Sequence, residues 1–106
     1  MQFKTAFVSM APDADPEVHR KEISLSKYLL ITVLVSPADK EKIIELCRGL
    51  VNNDGVKSFI FCPGFGYSLL ARIEKELGKD IAINISRGDG RSSRISYKEM
   101  KKAEWF

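Results

Sequence analysis

The stretch Tyr28–Val35 reads YLLITVLV and is apolar apart from Thr32. An uninterrupted run of this kind, rich in β-branched residues, predicts a central strand covered on both faces, as in parallel sheets. It is followed by Ser36-Pro37-Ala38-Asp39, where serine at the N-cap, proline at the first helical position and a nearby acid predict the start of a helix. A buried strand that leads directly into a helix indicates an α/β fold.

Further strands are predicted on either side of this unit, at 3–10, 56–61 and 81–85. A helix with apolar residues at helical spacing follows Gly64 and ends at Gly78, and a short polar helix is predicted from Asp15-Pro16-Glu17 to about Ile23. The alternation predicts a three-layer domain with a four-stranded, mainly parallel sheet. The expected strand order is 2-1-3-4, counting the predicted strands along the chain. The alternative is a ferredoxin-like α+β fold with an antiparallel strand.

Length and composition predict one cytoplasmic domain over residues 1–106. The chain is 44% hydrophobic and 29% charged, as is usual for a globular domain. Its longest apolar run is far below the roughly 20 residues that span a bilayer, so no membrane partner is expected. The two cysteines, without an export signal at Met1-Gln2-Phe3-Lys4, predict reduced thiols rather than a disulfide framework.

The excess positive charge lies at the end of the chain. Residues 1–86 are electrically neutral and form the predicted core, whereas residues 87–106 carry six basic and three acidic side chains and form a predicted basic C-terminal arm. Nucleic-acid binding is not expected, because the mixed charges come without a recognition motif. Trp105 and Phe106 need a surface to bury against, either the domain's own sheet edge or a second copy. This favours a homo-oligomer.

A ligand site is predicted where the turns after the parallel strands meet, at the carboxyl edge of the sheet. The turn Cys62–Gly66 contains two glycines that allow close backbone approach, and the first amides of the following helix favour a small anion. The predicted ligand-binding residues are Ser9, Asp13, Gly64, Phe65, Gly66 and Arg87. In this hypothesis Phe65 offers an apolar wall and Arg87 a positive charge.

Catalysis is left open by the sequence. Cys62 precedes a helix and His19 is the only histidine, so these two are the candidate nucleophile and base. No metal site is expected from one histidine and two dispersed cysteines. No cofactor is expected either, because Gly64-Phe65-Gly66 lacks the third glycine of the dinucleotide fingerprint and has Leu69 there. The alternative function is a non-catalytic oligomerisation or partner-interaction module.

The residues that follow the first strand resemble a family of small microbial proteins grouped as a domain of unknown function. The resemblance rests on Met10–Glu17 with His19-Arg20 after it, and on the turn before the second helix, which is Cys-Gly-Gly-Phe-Gly-like in that family. Here Pro63 departs from that pattern, while Arg87 matches an arginine after the last strand. The resemblance implies a compact α/β fold and no established activity.

Overall fold

The computed structural model describes residues 1–106 and contains five strands and three helices. The strands are β1 (Phe3–Met10), β2 (Arg20–Ser24), β3 (Tyr28–Val35), β4 (Ser58–Phe61) and β5 (Ala82–Ile85). The helices are α1 (Lys40–Asp54), α2 (Tyr67–Leu77) and α3 (Gly90–Lys102). None of the three helices is long and apolar enough to cross a membrane.

The strands form one mixed sheet in the order β2-β3-β1-β4-β5. β1, β3, β4 and β5 are parallel, and β2 is antiparallel to β3. The α/β class is confirmed, but the sheet has five strands rather than four, and its order differs from the predicted one because β2 is added at the edge. The ferredoxin-like alternative is not observed, since all the neighbouring strands except β2 and β3 are parallel.

The short helix predicted from Asp15 to Ile23 is wrong. Asp15 starts only one turn, in which its carbonyl accepts from the amides of Val18 at 3.0 Å and His19 at 2.8 Å. The chain then straightens at Arg20 and pairs with β3. A polar segment without an apolar stripe gains little from helix formation, whereas pairing satisfies the backbone groups along the outer edge of β3.

The helices that pack on the sheet lie on one face, so the predicted three-layer arrangement is replaced by two layers. The connections β3-α1-β4 and β4-α2-β5 step across the sheet in the same direction, and right-handed crossovers in one direction place both helices on the same side. α1 and α2 lie side by side, joined by the ion pairs Arg48–Glu76 and Arg72–Glu41. The segment that was predicted to form a helix on the other face leads into β2 instead.

A single apolar core fills the space between the sheet and these two helices. From the sheet it includes Val8, Val33 and the stacked rings of Phe59 and Phe61, whose centroids are 5.6 Å apart. α1 contributes the stripe predicted from its spacing, which consists of Ile43, Ile44, Cys47 and Leu50. α2 contributes Leu69, Leu70 and Ile73. The core therefore fixes the sheet-to-helix turns that lead into α1 and α2.

Two helix starts differ from the sequence prediction. The N-cap of α1 is Asp39 rather than Ser36, because the Asp39 carboxylate accepts from the amide of Lys42 at 3.1 Å. No helix was assigned to the predicted basic C-terminal arm, but α3 begins within it at Gly90. Asp89 is its N-cap and accepts from the amide of Ser92 at 2.7 Å. In both places an Asp side chain supplies the acceptor that the free first-turn amides need.

Candidate functional site

The turn after β4 lies against the end of β1 at the carboxyl edge. β1 and β4 are parallel neighbours, and the amide of Cys62 continues their pairing by donating to the carbonyl of Val8 at 3.2 Å. The amide of Met10 donates to the Cys62 Sγ at 3.4 Å. A Cβ added at Gly64 would lie 3.4 Å from the same sulfur and 3.6 Å from the Met10 Sδ. These are ordinary van der Waals distances, and they show that the turn after β4 packs on the end of β1.

Phe65, within this turn, faces the core. Its side chain is only 1% exposed and its ring centroid lies 4.8 Å from that of Phe61. The amide of Phe65 donates to the carbonyl of Cys62 at 3.1 Å, which closes the turn and directs the ring inward. Phe65 therefore anchors the turn and offers no exposed ring surface to a ligand.

The N-terminus of α2 follows the turn and is open to solvent. Gly66 is the N-cap and has no side chain to accept a hydrogen bond, so the amides of Tyr67, Ser68 and Leu69 have no acceptor within the protein. Nothing lies within 4 Å of a Cβ added at Gly66. Free amides at the positive end of a helix macrodipole favour an anion.

Arg87 lies beside this helix end. The amide of Ser86 donates to the carbonyl of Phe61 at 2.8 Å, which holds the chain after β5 next to the end of β4. The Arg87 guanidinium then stacks over the ring of Tyr67, 4.4 Å from its centroid. A cation–π contact keeps its hydrogen-bond donors available. The structure therefore brings Gly64, Gly66 and Arg87 into one neighbourhood.

The loop after β1 turns the other way, toward β3. The amide of Ala11 donates to the carbonyl of Val35 at 3.0 Å, and the Ser36 hydroxyl donates to the carbonyl of Pro12 at 3.4 Å. Asp13, exposed in this loop, therefore lies over the end of β3 and not beside the turn after β4. Ser9 is half-buried on the side of the sheet opposite α1 and α2.

The two candidate catalytic residues are not brought together. The carbonyl of His19 accepts from the amide of Leu34, which places His19 on the outer side of β3, whereas Cys62 lies at the end of β4. Two strands separate these positions, a distance of about 14 Å at roughly 4.8 Å per strand spacing. The Nδ1 of His19 accepts from the amide of Asp15 at 2.9 Å. A base must reach its nucleophile by a hydrogen bond, and this one does not.

Sequence reasoning missed a cavity at this same edge. It measures about 300 Å³ and is lined by Ala14, Asp15, Pro16, Val35, Ser36, Asp39, Lys42 and Ile43. Its carboxylates are already engaged, since Asp15 accepts from the amide of Glu17 and Asp39 caps α1. The sequence signal for this cavity is the pair Asp15-Pro16 and Ser36-Pro37, which follow the adjacent strands β1 and β3. No three His, Cys, Asp or Glu side chains come close enough to hold a metal ion.

The second cysteine, Cys47, does not lie at the carboxyl edge of the sheet. Cys47 is 0% exposed in the core, and burial raises the pKa of its thiol to about 12. The thiolate is the reactive form of cysteine, so the Cys47 thiol is held in its inert form.

The side of the sheet opposite α1 and α2 is a second candidate site, which we call the open face. Alternation along the strands directs Phe7 and Leu30 away from the core residues Val8 and Ile31. The apolar side chains of the open face are Phe3, Phe7, Ile23, Leu30, Leu34 and Ile60.

These side chains lie on four strands, with the polar side chains of Ser9 and Thr32 among them. Phe7 lies opposite Ile60, and Leu30 lies opposite Ile23, so they are cross-strand neighbours. Phe3 is 56% exposed and Ile23 62% exposed, and the other four are half-buried. The short side chains of Thr5 and Ser58 are buried among their larger neighbours. No helix in the core cluster covers this surface.

Among the comparisons with known proteins, the one with family models gives a match. A family model described as a family of unknown function, DUF6506, matches residues 3–101. No curated protein and no solved structure matches the chain.

Proposed function

The chain belongs to DUF6506, a family of unknown function, and we propose that it is a non-catalytic interaction module whose open face binds a second copy. The observation that supports this function is the unburied apolar surface of the sheet. The separation of Cys62 from His19 leaves the candidate nucleophile Cys62 without the candidate base.

The amount of exposed surface fits a missing partner. The chain has 7180 Å² of accessible surface. A folded monomer of 12.0 kDa exposes about 6,000 Å². The excess of about 1,200 Å² exceeds the roughly 800 Å² that each partner buries in a standard stable interface. The radius of gyration, 14.2 Å, is likewise larger than the about 13 Å of a compact domain of this length. A dimer would remove this excess.

A second copy suits the open face because of its charge. Lys21 is the only side chain on the strand positions of this face that is charged at pH 7, so two copies meet without strong like-charge repulsion. A charge-poor, apolar patch is the usual centre of a homodimer interface. In a two-fold dimer each copy covers the open face of the other in the same way.

The test is the molar mass in solution, measured by light scattering after size exclusion. Wild-type protein is expected at twice the chain mass of 12.0 kDa, and Ile60→Arg, which places a charge on the open face next to Phe7, is expected at the chain mass. The matched control is Val18→Arg, because Val18 is 69% exposed in the loop after β1 and should leave the dimer intact. A wild-type monomer at all accessible concentrations would contradict the proposal.

The second candidate function is binding of a small anion at the N-terminus of α2. The free amides of Tyr67–Leu69 and the adjacent guanidinium of Arg87 favour it. The probe is inorganic phosphate, titrated against ¹⁵N-labelled protein. Saturable shifts of those three amides are expected, weakened in Arg87→Gln and unchanged in the control Arg91→Gln. Shifts that are linear in phosphate concentration would exclude a site.

A further inference from the structure

We infer that α3 is exchanged between the two copies, so that the helix of each lies across the open face of the other. The inference rests on the proposed dimer and assigns the element that makes its interface. It follows from the position of α3, the distribution of its side chains and its length.

α3 projects from the body of the domain without a partner. None of its residues is buried, and Met100 alone is half-buried. The molecule accordingly measures 42 Å along its longest axis and 29 and 27 Å along the others. A helix of 13 residues is marginal by itself in water, because tertiary packing supplies most of the stability of protein helices. α3 therefore needs a surface that its own chain does not provide.

A short connection joins β5 to this helix. Asp89 caps the first turn, and Gly88 lies beside that turn, where an added Cβ would make ordinary van der Waals contacts with the Ser93 Oγ at 3.5 Å and the Ser92 Cβ at 3.6 Å. The four residues between β5 and α3 are thus folded onto the start of the helix. The helix leaves the sheet instead of turning back over it, which leaves its own open face bare.

The side chains of α3 are divided between two sides. At 100° per residue, one sector contains all of its cations, which are Arg91, Arg94, Lys98, Lys101 and Lys102. Ile95 borders this sector beside Lys102, whereas Tyr97 and Met100 lie outside it, on either side of Ser93. The chain end folds back onto them, with the Phe106 ring 4.8 Å from that of Tyr97 and the Trp105 amide donating to the carbonyl of Met100. One side of α3 can therefore lie on an apolar surface while the other stays in water.

The dimensions of the helix and the open face agree. Thirteen residues at about 1.5 Å each give a helix of about 20 Å. Five strands about 4.8 Å apart give a sheet about 19 Å wide between its outer strands. One α3 laid across the strands spans the open face. In a reciprocal exchange, the α3 and the open face of each copy are both covered by the other copy.

The exchange is tested by isotope-filtered NOE spectroscopy on a mixture of ¹³C-labelled and unlabelled full-length protein. Contacts are expected between Tyr97 or Met100 of one copy and the methyl groups of Leu30 and Ile60 of the other. A particle of twice the chain mass without these intermolecular contacts would overturn the exchange and leave the dimer standing. A monomer would overturn both proposals.

A pair of neighbouring substitutions provides an independent test. Tyr97→Ala removes an aromatic ring from the apolar side of α3 and is expected to weaken dimerisation at least about tenfold, as at interface hot spots. Lys98→Ala, the control on the basic side, is expected to change the dissociation constant of the dimer by less than about threefold. Equal effects of the two substitutions would contradict the orientation of the helix.

Discussion

Phe65→Ala distinguishes a turn anchored in the core from a turn that offers its aromatic ring to a ligand. The Phe65 ring is 1% exposed and packs on Phe61, so its removal leaves a cavity beneath the turn. Truncating a buried phenylalanine costs about 3–5 kcal/mol, of which the aromatic pair accounts for about 0.5–1.5 kcal/mol. Domains of this kind are stable by about 5–15 kcal/mol, so the variant is expected to fold with much reduced stability.

Urea unfolding followed by circular dichroism measures this loss, with wild type and variant at the same protein concentration. The midpoint of unfolding is expected to fall by more than 1 M, since the urea dependence of small domains is about 1–3 kcal/mol per M. Tyr67→Ala is the control, because Tyr67 is 73% exposed two residues along the chain and should leave the midpoint nearly unchanged. A loss below about 1 kcal/mol for Phe65→Ala would refute the assignment of this ring to the core.

Three further predictions concern caps and thiols. Asp39→Ala removes the N-cap of α1 and is expected to lower the free energy of unfolding by about 1 kcal/mol in the same urea assay, whereas Asp39→Asn should retain most of it. Hydrogen bonds from Ser92 lower the pKa of Asp89 below its usual 3.8, so the cap stabilises α3 above that pH and its contribution is lost as the pH falls through the lowered pKa. A carboxyl ¹³C titration should show this lowered midpoint, and an unshifted one would contradict the cap. In native protein at pH 8, iodoacetamide should leave Cys47 unmodified, and mass spectrometry that finds Cys47 alkylated without unfolding would refute its burial.

The strands and helices that make the core were predictable, because their residues repeat an apolar pattern. Tyr28–Val35 is a strand with the predicted bounds, and the apolar stripe of α1 faces the core as its spacing indicated. β2 was missed because an edge strand is defined by its pairing partner, and Arg20–Ser24 has no apolar pattern of its own. α3 was missed in part because none of its residues is buried in the chain that carries it.

The sequence predicted the direction of the strands that lead into the candidate site, but not the path of every loop that follows them. Parallel strands brought the turn at Cys62–Gly66 against Met10, as expected. The path of the loop after β1 was not predictable, since it depends on β2 lying beyond β3, and this path takes Asp13 and His19 away from the turn. Whether Phe65 faces inward depends on the packing of Phe61 beneath it, which the spacing of the glycines does not reveal.

The position of β1 has a consequence for how the chain emerges from the ribosome. This strand is made first, yet it lies in the middle of the sheet and pairs with Tyr28–Val35 on one side and Ser58–Phe61 on the other. During synthesis one border of β1 therefore stays unpaired until Phe61 has left the exit tunnel. The β2–β3 hairpin, whose contacts are local, can form earlier. All residues up to Phe61 must be translated before the central strand is flanked on both sides, and nascent chains that end earlier are the ones that need protection by chaperones.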